Sequence, residues 1–351
     1  MIGPASRPTR RMLARRDLLA SGAALLAGGS CRGPRETVPA ARPGTVPVGP
    51  FGRHSTAEDV TAGLDLTGRR ILVTGATSGL GLETVRVLAT RGADVIVTGR
   101  TRNRAVAACR GLTPGRTTPL ALELEDWAGI RSAADEVTRG GRPLDVLICN
   151  AGIMAPRTLR LVHGVEQQFA VNHLAHFILC LHLLPALRAA AQGRIVVVSS
   201  SAIYRAPPCG VDFANLDAAK GYEPFAMYGQ SKFANALFAF ALARRLAGSR
   251  VTANALHPGV VNTNLDRAES PLRRLRARLM AWNNPRLKSV GAGAATQVYL
   301  ASAPALATVS GRFFEDCNPI VLDDPRFSDP ALMERLWAAS EALTRSYLPT
   351  S

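Results

Sequence analysis

Tyr228 and Lys232 stand four residues apart in YGQSK, within a 351-residue chain whose only lysines are Lys220, Lys232 and Lys288. Elsewhere the chain writes its positive charge as arginine. Residues at i and i+4 share one helix face. The stretch from Tyr228 to Leu246 carries the alanines and leucines of a good helix and no proline. A free phenol titrates near about 10 and is a poor proton relay at neutral pH. A positive charge ~4 Å away is worth about 4 kcal/mol at an effective dielectric near 20. That pulls the phenol toward neutrality before desolvation opposes it, and the helix N-terminus pulls the same way. A phenol so tuned can protonate a carbonyl oxygen or take the proton from an alcohol. A guanidinium is too spread to place a compact charge there, and it cannot release a proton. Alone, the pair reads equally as an ordinary Tyr and Lys on an amphipathic surface helix.

The neighbouring motifs decide between the two. VVVSSSAI (196–203) ends an apolar run with three hydroxyls, Ser199, Ser200 and Ser201. ICNAGI (148–153) ends another with Asn150, Ala151 and Gly152, groups that let a flat ring approach. VNHLAHF (171–177) sets Asn172 among apolar neighbours, where an amide needs a polar partner. LHPGVVNT (256–263) turns the chain through Pro258, Gly259 and Val261, with Thr263 placed to bond a carboxamide.

The elements that must position these groups are short. RILVT (70–74), DVIVT (94–98), LALEL (120–124), LDVLIC (144–149), RIVVVS (194–199) and VTANAL (251–256) read as strands, separated by stretches long enough for helices. Such alternation predicts an α/β fold, a doubly wound parallel sheet with helices on both faces, in one domain from residue 51 to 351. Right-handed crossovers bring the carboxyl ends of the strands to one crevice. VTGATSGLG (73–81) follows the first strand and opens a helix. Gly75, Gly79 and Gly81 allow a tight turn and close approach to a pyrophosphate. Thr77 and Ser78 add hydroxyls beside Leu80. The second strand ends in Gly99-Arg100, without the acid that usually receives the ribose hydroxyls of NAD. A missing acid and a present cation favour NADP(H), with NAD(H) the alternative. Glu123, at the expected end of the third strand, is positioned to accept from an adenine amine.

In combination these motifs resemble the short-chain dehydrogenase/reductase superfamily, in the branch of retinol dehydrogenases, WW-domain oxidoreductases and protochlorophyllide reductase. The local matches are 55–84, VNHLAHFILC (171–180), YGQSKFANALF (228–238) and GRFFEDC (311–317), and the resemblance spans about 51 to 346. It implies a Rossmann-type sheet of about seven parallel strands and a catalytic set of Tyr228, Lys232, Ser200 and Asn172. Tyr228 would be the acid/base. Lys232 would lower its pKa and hold the nicotinamide ribose, and Asn172 would hold a water that extends the proton path. Ser200 aligns best with the family serine, with Ser199 and Ser201 as the register alternatives. Gly75, Gly79 and Gly81 would line the pyrophosphate, and Asn150 would lie by the adenine ribose. A small carbonyl or alcohol is the implied substrate and a homodimer the implied assembly. The competing class is a non-catalytic NADP(H)-binding sensor of the same fold. The intact Tyr228, Lys232, Ser200 and Asn172 argue against it, since a sensor needs no proton relay.

Residues 1–31 resemble a twin-arginine export leader, with Arg15-Arg16 before the short apolar run Leu18 to Gly29 and Cys31 after it. Residues 32–50 read as a Pro/Gly/Arg-rich linker. The net charge of +16 is carried by scattered arginines without interleaved aromatics, so no nucleic-acid partner is expected. His173 and His176, three apart, read as helix packing, and no metal is expected. Substrate choice is assigned to the stretch between Ser200 and Tyr228 and to 264–289. In the latter, Leu272, Leu275, Leu279 and Trp282 share a helical face between arginines, a pattern for a pocket cover or peripheral membrane contact.

Overall fold

The central apolar runs form short strands because both of their faces are covered. In the computed structural model, which describes residues 46, 48–261 and 287–350, seven strands run parallel: β1 (Arg70–Val73), β2 (Asp94–Gly99), β3 (Thr117–Ala121), β4 (Val146–Cys149), β5 (Gly193–Val198), β6 (Val251–His257) and β7 (Phe313–Glu315). β8 (Asn318–Ile320) closes one edge antiparallel to β7. The order is β8-β7-β6-β5-β4-β1-β2-β3. Val73 lies opposite both Val97 and Ile148, so strand order reverses at β1 and the carboxyl ends open a crevice there.

Helices α1 (Gly79–Thr90), α2 (Arg102–Cys109) and α6 (Val290–Ser302) cover one face, and α3 (Trp127–Thr138), α4 (Gln167–Ala189), α5 (Pro224–Arg245) and α7 (Pro330–Thr344) the other. Ile71 and Leu72 are adjacent in β1 yet sit in different cores, which is why these strands read as unbroken apolar runs. α4 is long and apolar enough to cross a membrane, but it is largely buried as a core helix. Cys149 and Cys180 are buried free thiols in the same core, as their apolar settings predict.

Two expectations change. The third strand is Thr117–Ala121, not 120–124. Leu122 and Leu124 remain buried after their partner strand β2 ends at Gly99, so apolar alternation outruns the ladder and Glu123 lies past the strand, just before a turn. The edge strand β8 was not predicted. It arises because Asp316 and Cys317 both take positive φ, 52° and 63°, and fold the chain into a tight hairpin without the usual glycine. Cys317 is held there by its N–H donating to Thr296 Oγ1 at 3.1 Å. Beyond β6, Val260–Val261 pairs in parallel with Leu287–Lys288. The leader, most of the linker, Thr263 and nearly all of 264–289 lie outside the described residues.

Candidate active site

α5 begins cleanly: Glu223 caps it by accepting from Ala226 N–H, and Pro224 occupies the first position. This sets Tyr228 in the second turn and Lys232 one turn on, both turned inward, with exposures of 9% and 4%. The Lys232 Nζ lies 5.8 Å from the centroid of the Tyr228 ring. It donates to the carbonyl of Val198, the last residue of β5, at 3.0 Å. Burial pushes the Lys232 ammonium down to about 8, with Cys149 opposing. A cation with that value is charged at neutral pH and able to release its proton.

The three serines differ. Ser199 is buried, and its hydroxyl donates to Lys232 O at 2.7 Å, bolting β5 to α5. Ser201 is exposed. Ser200 is partly exposed and caps the short helical turn 201–205, its Oγ accepting from Ala202 N–H at 3.1 Å. That bond uses only a lone pair, so the Ser200 O–H remains available to donate.

Asn172 sits in a π-helical turn, Ala170–Leu174, inside α4. Its Oδ1 accepts from Ile153 N–H at 2.8 Å, and its Nδ2 donates to Ile153 O at 3.0 Å and to Ser231 Oγ at 2.9 Å. Ser231 in turn donates to Tyr228 O at 2.8 Å. Gly152 threads between these groups. A Cβ there would lie 3.1 Å from Asn172 Oδ1 and 3.4 Å from Lys232 Nζ. Sequence reasoning singled out Asn172 but missed Ser231, whose position three after Tyr228 was the available signal.

The glycine-rich turn lies at the other end of the crevice. Gly75 and Gly79 have φ of 64° and 57°. A Cβ on Gly75 would fall 2.9 Å from Ala151 Cα, and one on Gly81 would fall 2.4 Å from Gly75 O and 2.6 Å from Asn150 Nδ2. Thr98 Oγ1 donates to Val73 O at 3.0 Å and accepts from Gly75 N–H at 3.1 Å. Asn150 Nδ2 donates to Thr74 O at 2.8 Å, and Asn150 Oδ1 accepts from Gln297 Nε2 at 3.4 Å. Asn150 therefore sets the turn in place. Thr77, Ser78 and Leu80 stand partly exposed where α1 begins. The chain thus presents a side-chain-free cradle at a helix N-terminus, which fits a pyrophosphate. Gly99 is bare for a packing reason as well. A Cβ there would meet Thr77 Cγ2 at 2.8 Å and Ala105 N at 2.9 Å. Arg100 beside it is exposed. Glu123 is partly buried, with Oε1 accepting from Glu125 N–H at 3.4 Å.

After β6, Pro258 and Gly259 turn the chain, Gly259 at φ 90°. The stem of Lys288 fills the space over Gly259, where a Cβ would lie 2.7 Å from Lys288 Cδ. The buried Lys288 ammonium pairs with Asp316 at 2.5 Å. Its scarcity as a residue type was the sequence signal, and the sequence reading left it unused. His173 packs among Phe169, Phe177 and Phe238 and bonds Ser340 Oγ at 2.9 Å. His176 does more than pack, as argued below.

The short chain dehydrogenase family model matches residues 69–273. Retinol dehydrogenase 14 from Mus musculus is 39% identical over 292 residues, covering 79% of this chain and 86% of the relative. The structure of an uncharacterized protein from Mycobacterium Paratuberculosis superposes with a TM-score of 0.67 at 34% identity, covering 85% of this chain and all of the other. A Beutenbergia cavernae protein described as an NAD(P)-dependent gluconate 5-dehydrogenase, with NADP bound at low occupancy, superposes at 0.55 with 30% identity, covering 71% of this chain and 95% of the other. The chain belongs to the short-chain dehydrogenase/reductase superfamily, in its retinol-dehydrogenase-like branch, and is an NAD(P)-dependent oxidoreductase acting on a small molecule.

Proposed function

We propose that the protein interconverts a carbonyl and an alcohol on an apolar small molecule, using NADP(H), with Tyr228 as the acid/base. The observation that carries this reading is the buried pairing of the Tyr228 ring with the Lys232 ammonium at the carboxyl end of β5. A bound nicotinamide supplies the hydride in reduction and accepts it in oxidation. In reduction, the Tyr228 phenol gives its proton to the carbonyl oxygen, while the Ser200 hydroxyl donates a hydrogen bond to that oxygen. The Lys232 ammonium stabilises the phenolate left behind and returns a proton to it. Asn172 fixes the backbone at Ile153 and, through Ser231, the Tyr228 carbonyl. In oxidation the same groups act in reverse.

The preference for NADP(H) rests on the bare Gly99, the exposed Arg100 beside it, and the NADP bound by the Beutenbergia cavernae relative. The apolar substrate rests on side chains at the rim. Tyr204 and Val260, 68% and 48% exposed, follow β5 and β6 in the chain, and Phe225, 46% exposed, lies in the first turn of α5 with Arg205 over its ring, and a retinol dehydrogenase is among the relatives. The Arg15-Arg16 leader adds export to this reading. Mass spectrometry of the mature N-terminus tests that part, and an intact leader on cytosolic protein rejects it.

The central test is turnover of NADPH by the purified protein with a panel of apolar aldehydes and ketones, beside Tyr228→Phe. Turnover should fall by about 10²- to 10⁴-fold in the variant. A fully active Tyr228→Phe would reject the mechanism. Tight NADPH binding with no turnover by the unaltered protein would make it a cofactor-binding sensor instead.

A further inference from the structure

We propose that His176 is a positioning residue that locks the glycine-rich turn to the proton-relay residues through one hydrogen-bonded chain. This deepens the catalytic reading above and rests on it. His176 is buried in α4, four residues after Asn172 and just past the π-helical turn. Its Nδ1 lies 2.9 Å from the carbonyl oxygen of Asn172, and its Nε2 lies 2.9 Å from Thr74 Oγ1. Thr74 is the first residue after β1, immediately before Gly75.

The proton positions follow by elimination. A backbone carbonyl only accepts, so Nδ1 carries the hydrogen. Burial pushes the ring down to about 4, so it is neutral and Nε2 is an acceptor. The Thr74 hydroxyl therefore donates to Nε2. Its oxygen then has two lone pairs, and two N–H groups use them: Asn150 N and Ala151 N, each at 2.9 Å. The alternative acceptor for the Thr74 hydroxyl, Ile148 O, is farther at 3.3 Å and would leave Nε2 facing no donor. Every group in the chain is thus satisfied in a single arrangement.

That arrangement is continuous with both ends of the site. From Thr74 and Asn150 it reaches the backbone of the glycine turn. From Asn172 it reaches Ile153, Ser231 and the carbonyl of Tyr228. His173, one turn away in the same core, lacks this reach: its Nε2 bonds Ser340 Oγ, at 2.9 Å. The π-helical turn gives the two histidines different tasks: His173 fills space, while His176 spans from α4 to β1.

The test has two independent arms. ¹⁵N NMR of histidine-labelled protein without cofactor should show His176 neutral with the proton on Nδ1. A proton on Nε2, or an imidazolium at pH 6, would overturn the proposal. In the second arm, Thr74→Val and His176→Phe should each lower kcat by about 10- to 100-fold, the cost of a small misplacement of reacting groups, and weaken NADPH binding measured by fluorescence. The double variant should be no worse than the more impaired single. Thr74→Ser should recover most of the rate lost in Thr74→Val. Ser340→Ala, which strips the matching bond from His173, should lower Tm without changing kcat. If His176→Phe does not fold, the near-isosteric Thr74→Val carries the test. A folded Thr74→Val with unaltered kcat and NADPH affinity would refute the role. Absence of turnover in the unaltered protein would reject the catalytic reading alone, because the tautomer and the NADPH affinity are read without turnover.

Discussion

Lys232 shows what a buried ammonium costs and why the site keeps it. Its folded value of about 8 is below the 10.5 of an exposed lysine. Between these values the unfolded chain binds the extra proton, so stability rises with pH across that window. At pH 7 the full penalty is present, about 3 kcal/mol at roughly 1.4 kcal/mol per pH unit. Lys232→Met should therefore raise Tm by several degrees at pH 7 while abolishing turnover, and the gain should shrink toward pH 10.5. Asn235 Nδ2, 3.3 Å from Val198 O, keeps that carbonyl bonded in the variant. Calorimetry at pH 7 and pH 10 checks this, and a gain that does not change with pH would contradict it. The stability sacrificed here is of the kind that functional sites carry and packing elsewhere offsets.

At the scale of elements, the glycine turn is held by close backbone approach. Gly81→Ala places a methyl 2.4 Å from Gly75 O, against backbone that cannot yield. It should weaken NADPH binding by more than about 10-fold and destabilise by roughly 1–3 kcal/mol, read by fluorescence titration and urea unfolding. Normal NADPH affinity would mean that the turn does not cradle the cofactor.

The turn, the central strands and the Tyr228/Lys232 pair were legible in the sequence, because each rests on local rules: helical spacing, apolar runs and glycine at tight bends. What escaped depends on distant partners. β8 exists because Thr296 and β7 stabilise a turn whose residues do not advertise one. The end of β3 follows its neighbour β2 rather than its own alternation. His176 looked like packing because Thr74, its second partner, is about a hundred residues away along the chain. Lys288 was conspicuous by rarity, yet its partner Asp316 and the slot over Gly259 appear only in three dimensions.

Over the whole molecule, three neutral histidines are built into the interior. Burial pushes His173 to about 3 and His176 and His257 to about 4. Each is neutral in the folded protein and takes a proton on unfolding below its ordinary value of 6.5. Stability is then complete above about pH 6.5 and lost as the medium acidifies toward 4, with a limiting slope of about 4 kcal/mol per pH unit for three protons. Urea midpoints at pH 7, 5.5 and 4.5 should fall with increasing steepness, and a flat profile would show that these rings are solvated.

The two-residue bridge between Val260–Val261 and Leu287–Lys288, clamped by the Lys288–Asp316 pair, has an architectural consequence. Whatever sequence joins 261 to 287 departs from and rejoins the scaffold at a fixed socket. Loop closure is set at the base, and doubling the joining length adds only about 0.6 kcal/mol. Such a socket permits exchange: a replacement cassette from a relative should leave Tm within a few degrees while changing which carbonyl compounds are turned over. A collapse of Tm on grafting would show that the cassette, rather than the clamp, holds the ends together.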